Sequence, residues 1–170
     1  MRILGIDPGS RITGYGVIET SVGTVRHIDS GCIKTVSGSL PERLDEIYHR
    51  VSDIINRHNP DVAVVEQIFV SVNPGSALKL GHARGAAICA CMASKIKLYE
   101  YTPREIKKTI TGYGGADKEQ VQYMVSMLLM IDKQLGQDEA DALAAALAHY
   151  HYIPFESERK SIRRATASGH

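Results

Sequence analysis

The sequence predicts an α/β fold built on a mixed five-stranded sheet that is flanked by helices. Three observations carry this prediction: apolar runs that end in turns, short breaks between the first strand-like runs, and helix-like segments between the later ones. Breaks of a few residues are too short for a helical crossover, so the first three strands should be antiparallel, whereas helix-linked strands should be parallel. A chain of 170 residues has the size of one ordinary domain.

The first half of the chain contains four predicted strands and one helix. RILGID at 2–7 is a short apolar run closed by Pro-Gly-Ser, which indicates a buried strand that ends in a turn. Strand-like runs at 12–19 and 24–35 complete an antiparallel meander. A capping-box pattern at 39–42 precedes an amphipathic helix. That helix leads to DVAVVE at 61–66, a second buried strand that should lie parallel to the first.

The second half alternates helices with one further strand. A helix of small residues at about 76–93 precedes a strand at 97–102, and a second capping box at 102–105 opens the next helix. Asp117 begins a helix that runs through residue 130, and DEADALAAALAHY forms the last one. Meandering strands, helix-linked strands and closing helices follow the order of a ribonuclease-H-like fold.

Composition and charge narrow the class of protein. Hydrophobic residues make up 44% and charged residues 23%, which is typical of a soluble globular chain. The longest apolar stretches fall well below the roughly 20 residues that span a bilayer, so we expect a cytoplasmic protein without membrane contact. Net charge is +1, but Lys and Arg concentrate between 79 and 108, as in proteins that bind phosphate backbones. We expect one ribonuclease-H-like domain at 1–154 and a basic, flexible tail at 155–170.

Four acids are predicted to meet at one edge of the sheet. Asp7 and Glu66 each end a buried strand, and the carboxyl ends of parallel neighbours lie together. Asp138 and Asp141 share one face of a helix, and the Ala-rich stretch behind them lets that helix approach the sheet closely. Two like charges about 4 Å apart repel by roughly 4 kcal/mol at an effective dielectric of 20, so the cluster requires protonation or a divalent cation.

Oxygen ligands without suitably spaced His or Cys favour Mg²⁺ or Mn²⁺. Two such ions can hydrolyse a phosphodiester without a nucleophilic side chain. Each acid alone has an ordinary alternative: a turn for Asp7, solvent exposure for Glu66 and a helix cap for Asp138. The tetrapeptide DEAD at 138–141 is not a helicase motif, because no GxxxxGK[ST] loop occurs in the chain; Glu139 and Ala140 are interpreted as spacers.

Three separated segments carry a family resemblance. GIDPGSRITGYGVI, DVAVVEQIFVSVNPGSALKLGHARGAA and QDEADALAAALAH strongly resemble the RuvC Holliday-junction resolvases, the bacterial crossover-junction endodeoxyribonucleases. The similarity runs from about residue 2 to residue 152. It implies that Asp7, Glu66, Asp138 and Asp141 are the catalytic acids that bind Mg²⁺, with two ions in each active site and Mn²⁺ as a substitute.

The resemblance also implies partners. It implies a homodimer that makes paired symmetric nicks in a four-way DNA junction during recombination and repair, and a branch-migration helicase complex of the RuvA and RuvB type. Lys107 and Lys118 match basic positions near the DNA backbone, and Phe69 matches an aromatic residue inserted among junction bases. Solvated helix charge and a core contact are the respective alternatives. Further candidate DNA-binding residues in the basic stretch are Lys79, Arg84, Arg104 and Lys108.

Two other functions fit parts of the sequence. Asp7-Pro-Gly-Ser10 is similar to the first phosphate loop of the actin, Hsp70 and sugar-kinase superfamily, but 170 residues leave no room for the second lobe which those proteins need. A junction-binding module without catalysis would use the basic stretch alone. In such a module the four acids would repel DNA, which argues against it.

Overall fold

Five strands form one mixed sheet, which confirms the predicted fold class. The protein is described by a computed structural model that covers residues 1–21, 23–35, 38–68 and 74–167, with side chains as far as residue 153. The strands are β1 (Arg2–Asp7), β2 (Ile12–Ser21), β3 (Thr24–Lys34), β4 (Val62–Glu66) and β5 (Lys97–Tyr101), in the spatial order β3-β2-β1-β4-β5. β2 is antiparallel to β1 and β3, whereas β4 is parallel to β1 and β5. The predicted meander and the predicted parallel pairing are both confirmed.

The helices begin close to the positions that their capping patterns predict. They are α1 (Leu40–His58), α2 (Pro74–Ala93), α3 (Pro103–Thr111), α4 (Lys118–Leu129) and α5 (Gln137–Ala167). At the starts of α1, α3 and α4, the side chains of Glu42, Glu105 and Gln120 accept the backbone N–H of the N-cap residue. No helix in the described part of the chain is long and apolar enough to cross a membrane.

The last helix is longer than predicted. Its backbone continues to Ala167, through the segment expected to be a flexible tail. Because the side chains beyond residue 153 lie outside the described ones, the division into a domain at 1–154 and a tail at 155–170 stays a prediction.

Apolar side chains cover both faces of the sheet. Leu4 and Ile6 of β1 pack with α1 and α2 on one face, whereas Ile3 packs on the other face with α3, α4 and α5. All three side chains are fully buried. A strand that is buried on both faces must be apolar at successive positions, which accounts for the continuous run that predicted β1.

Helix α5 lies directly on the backbone of β1 and β2. A Cβ atom at Gly5 would overlap the carbonyl oxygen of Ala142, and one at Gly14 would overlap that of Asp138. A Cβ at Gly16 would come within 2.6 Å of the Leu143 side chain. These three residues, called here the glycine seat, let α5 approach the sheet backbone to backbone. The first turn of α5 therefore lies at the carboxyl end of β1.

Candidate active site

Four carboxylates line one cavity at the carboxyl edge of the sheet. Asp7 is the last residue of β1 and Glu66 the last of β4, and the neighbouring residues Ile6 and Val65 are paired in register. Asp138 and Asp141 come from the first two turns of α5. The cavity has a volume of about 260 Å³, and its wall includes Lys107 of α3 and Lys118 of α4. The structure thus brings together the four acids as the sheet-edge argument predicts.

Residues 138–141 have different surroundings, which the sequence interpretation did not predict: two line the cavity and two are buried beside it. Asp138 is the second residue of α5 and so is not its N-cap. Glu139 is only 8% exposed and accepts the backbone N–H of Gly136 at 3.2 Å, so the spacer interpretation of Glu139 is wrong. Ala140 is buried in the core. Asp138 and Asp141 are left to face the cavity.

Burial and mutual repulsion raise the pKa values of the carboxyl groups. Burial above all, followed by Glu66, Asp141 and Asp138, raises the pKa of Asp7 to about 8. Burial and Asp141 raise the pKa of Glu66 to about 7, and burial also raises the pKa of Asp141. Without a cation, the site therefore keeps protons near neutral pH. A divalent cation bound among such carboxylates also gains the most electrostatic stabilisation.

The donor set fits a hard divalent cation. Carboxylate oxygens are the ligands that Mg²⁺ and Mn²⁺ prefer. In the described residues, no three His, Cys, Asp or Glu side chains are placed closely enough around one point to enclose an ion. The four carboxylates line the same cavity, so they are the residues that would hold such an ion.

The other candidate DNA-binding residues are distributed around the cavity rather than gathered in it. Arg84 donates from Nε to the backbone carbonyl of Glu66 at 3.1 Å and forms an ion pair with Glu100. Its side chain is 21% exposed, so it braces the end of β4 in this structure. Lys79, Arg104 and Lys108 are exposed, on α2 and α3. Phe69 lies outside the described residues.

Several residues that shape the site were missed, although the sequence held a signal for some of them. An isolated glycine within a strand indicates close approach of another backbone, and the glycine seat consists of three such residues. Glu139 gave no comparable signal, because helical spacing shows which residues share a face but not what the opposite face meets.

The fold and the site together define the class to which this protein belongs. A ribonuclease-H-like sheet with carboxylates clustered at its carboxyl edge is the architecture of a ribonuclease-H-like nuclease. A protein-family model described as "Crossover junction endodeoxyribonuclease RuvC" matches residues 3–149. The chain belongs to this RuvC family, whose nucleases depend on divalent metal ions.

Individual relatives agree with this assignment. The crossover junction endodeoxyribonuclease RuvC of Alkalilimnicola ehrlichii is 54% identical over 166 residues, which cover 98% of this chain and 99% of the relative. That of Acinetobacter baylyi is 53% identical over 149 residues, or 88% of this chain and 82% of the relative. Thermus thermophilus RuvC, solved in complex with a Holliday junction substrate, superposes with a TM-score of 0.83 at 33% identity, covering 89% of this chain and 94% of that one.

Proposed function

We propose that this protein is a structure-selective endonuclease that resolves four-way DNA junctions by paired symmetric nicks, in recombination and DNA repair. The reaction is hydrolysis of phosphodiester bonds with Mg²⁺, for which Mn²⁺ can substitute, at two ions per site. The observation that carries this proposal is the cavity in which four carboxylates face two lysines, in a chain of the RuvC family. The junction bound to the Thermus thermophilus relative supports the choice of substrate.

Asp7, Glu66, Asp138 and Asp141 are the residues that hold the ions in this proposal. When bound, Mg²⁺ supplies charge stabilisation at the phosphate and acidifies the attacking water. The raised pKa values of Asp7 and Glu66 mean that these carboxyl groups release protons on binding metal. A rigid seat for α5 keeps the acids in position before the ions arrive.

Lys107 and Lys118 have a complementary task. Both lie on the cavity wall, and both lower the pKa values of Glu66 and Asp141 against the effect of burial. In the proposed complex they contact the phosphates that flank the cleaved bond, where a positive charge offsets the approach of DNA to four acids. Phe69, which lies outside the described residues, stays the candidate for insertion among junction bases.

Cleavage of a synthetic four-way junction tests the function. The protein is incubated with the junction and with a linear duplex of the same sequence, in Mg²⁺, in Mn²⁺ and in EDTA. We expect paired nicks at symmetric positions in the junction alone, in either metal, and no cleavage in EDTA. Junction binding without cleavage in any metal would favour the noncatalytic module, and ATP binding would favour the kinase-like class.

We also propose that the protein acts as a homodimer whose protomers meet through α2. The buried side of α2 consists of small residues that pack on the sheet. On its other side, Leu78 and Met92 are 63% and 57% exposed, and a Cβ at Gly81 or Gly85 would meet no described atom within 4 Å. An exposed apolar helix face of this kind is typical of an interface. Two twofold-related sites match the two cuts that a junction requires.

The variant that combines Leu78→Glu with Met92→Glu should be monomeric, because it puts four charges into a twofold interface. Sedimentation velocity should show the monomer mass, and paired nicks should give way to single nicks. Tyr123→Glu is the matched control, since Tyr123 is 64% exposed on α4, and it should remain dimeric. A double variant that sediments like the original protein would rule out α2 as the interface.

Family membership further supports contact with a branch-migration helicase complex of the RuvA and RuvB type. The cytoplasm, where such a complex has access to chromosomal DNA, is the proposed location. Co-sedimentation of this protein with a junction loaded with that complex tests the contact. The contact is excluded if the protein binds the naked junction but is absent from the loaded one.

A further inference from the structure

The Glu139 side chain is bound on the side of α5 away from the carboxylate cavity. Its Oε1 accepts hydrogen bonds from the Ser30 hydroxyl at 2.6 Å and from the Lys133 ammonium at 2.7 Å. Its Oε2 accepts the backbone N–H of Gly136 at 3.2 Å. One carboxylate thus joins strand β3, the loop before α5 and the start of α5.

The start of α5 depends on this carboxylate more than the other capped helices depend on theirs. A helix N-terminus has four N–H groups without intrahelical partners. Helices α3 and α4 close their first turn from both sides, because Thr102 and Asp117 at the N-cap also accept hydrogen bonds from within the turn. At the start of α5, the cap position is Gly136, which has no side chain. Glu139 therefore supplies the side-chain half of the cap.

The contact with β3 fixes how the first turn of α5 is rotated. Ser30 pairs in register with Gly16 of the glycine seat and also bonds the His27 ring at 2.7 Å. Residues one position before and two after Glu139 lie about 100° and 200° around the helix from it. When Glu139 is held against β3, Asp138 and Asp141 are consequently turned toward the cavity that Asp7 lines.

We propose that Glu139 is a positioning residue for the nuclease site. By joining the first turn of α5 to Ser30 and Lys133, it sets the rotation at which Asp138 and Asp141 meet Asp7 to bind a divalent ion. Partners that orient metal ligands without touching the metal typically change metal affinity 10- to 100-fold when removed. This inference rests on the proposed function for its biological meaning, but metal binding by the protein alone can test it.

Mn²⁺ binding to the DNA-free protein, followed by electron paramagnetic resonance, is the primary measurement. Glu139→Ala should weaken Mn²⁺ binding roughly 10- to 100-fold. Junction affinity in EDTA should not change. Cleavage should fall at low Mn²⁺ and recover at high Mn²⁺. Glu139→Gln keeps the shape, but its single amide oxygen can replace only one of the two carboxylate oxygens that Ser30 and Gly136 contact, so it should weaken Mn²⁺ binding less than Glu139→Ala does.

Two further variants keep the test decisive if Glu139→Ala fails to fold. Ser30→Ala and Lys133→Met each remove one partner of Glu139 and should each weaken Mn²⁺ binding. Glu119→Gln removes an exposed acid from the first turn of α4 and is the control for general charge; it should leave Mn²⁺ affinity unchanged.

The outcomes separate this inference from the proposed function. If Glu139→Ala, or Ser30→Ala in its place, lowers thermal stability but binds Mn²⁺ as the original protein does, Glu139 is merely structural and the inference is overturned. If the original protein does not cut junctions yet the Glu139 variants lose Mn²⁺ affinity in the expected order, the positioning role stands and the proposed function fails.

Discussion

Asp7→Asn should reduce junction cleavage by at least about 1,000-fold and yet make the metal-free protein more stable. Asp7 lines the cavity together with Glu66 and the two aspartates of α5, and all three raise its pKa. An amide there binds a divalent ion poorly, so the several kcal/mol of transition-state stabilisation that the metal supplies are lost, at about 1.4 kcal/mol for each tenfold in rate. Single-turnover cleavage of a four-way junction at saturating Mg²⁺ measures the loss.

The gain in stability follows from the raised pKa of Asp7. That pKa is about 8 in the folded protein, whereas the unfolded carboxyl group titrates near its ordinary value of 3.8. Between these two values the folded state keeps a proton that the unfolded state releases, so the free energy of unfolding falls as pH rises through this range. The neutral amide of Asp7→Asn does not titrate, so the variant does not lose this part of its free energy of unfolding as pH rises. At pH 8 we therefore expect Asp7→Asn to be the more stable of the two metal-free proteins, with the higher Tm.

Melting curves of the metal-free proteins at pH 5 and pH 8 check this sign. The Tm difference between Asp7→Asn and the original protein should be larger at pH 8, and added Mg²⁺ should raise the Tm of the original protein more than that of the variant. Asp45→Asn is the control, because Asp45 is exposed on α1 beside His49. A variant that is less stable at pH 8 would contradict the raised pKa, and one that cleaves normally would contradict the role of Asp7.

Gly14→Ala should displace the first turn of α5 and slow cleavage. The added methyl group would occupy the place of the Asp138 carbonyl oxygen, so either the helix or the strand must move. Overpacking of this kind costs about 1–3 kcal/mol. A misplacement of about 1 Å costs about 100-fold in rate, so we expect at least that loss. Urea denaturation and single-turnover cleavage measure the two effects.

Gly31→Ala is the matched control for Gly14→Ala. Gly31 lies on the neighbouring strand β3, where a Cβ would meet the Tyr15 ring at 3.2 Å rather than a backbone atom. A side chain can rotate away, so this variant should keep most of its cleavage activity and stability. If both alanine variants behave alike, contact between the backbones of α5 and β2 does not determine the geometry of the site.

Much of the fold follows from local patterns that tertiary contacts reinforce. The apolar run of β1 and the capping boxes of α1, α3 and α4 were sufficient to predict these elements. Burial on both faces of a strand and hydrogen bonding of helix N–H groups each depend on only a few consecutive residues. Convergence of Asp7 and Glu66 also followed, since it depends only on which strands are parallel neighbours. The approach of Asp138 and Asp141 followed from the Ala-rich stretch, which lets the last helix lie close to the sheet. These are the parts of the structure in which local and global requirements agree.

The features that could not be predicted depend on contacts between segments that are distant in the chain. Arg84 was predicted as a DNA-binding residue from its charge, but its bonds to Glu66 and Glu100 depend on how α2 lies beside β4 and β5. Glu139 binds Ser30, which is 109 positions away in the chain. No spacing rule within one helix contains such information, so the task of Glu139 was assigned only from the three-dimensional structure.

The glycine seat also bears on how stiff the site is. Most helices rest on a sheet through side chains, which can change rotamer and let the separation fluctuate. At Gly5 and Gly14, the backbone of α5 lies directly against the backbones of β1 and β2, and these two contacts involve no side-chain torsion. The distance between α5 and the sheet is then fixed by hard-sphere contact between backbones, and only the rotation of the first turn of α5 depends on a side chain, that of Glu139. Such a frame tolerates variation in the surrounding core, whereas any side chain at Gly5 or Gly14 must displace α5 or the strand beneath it.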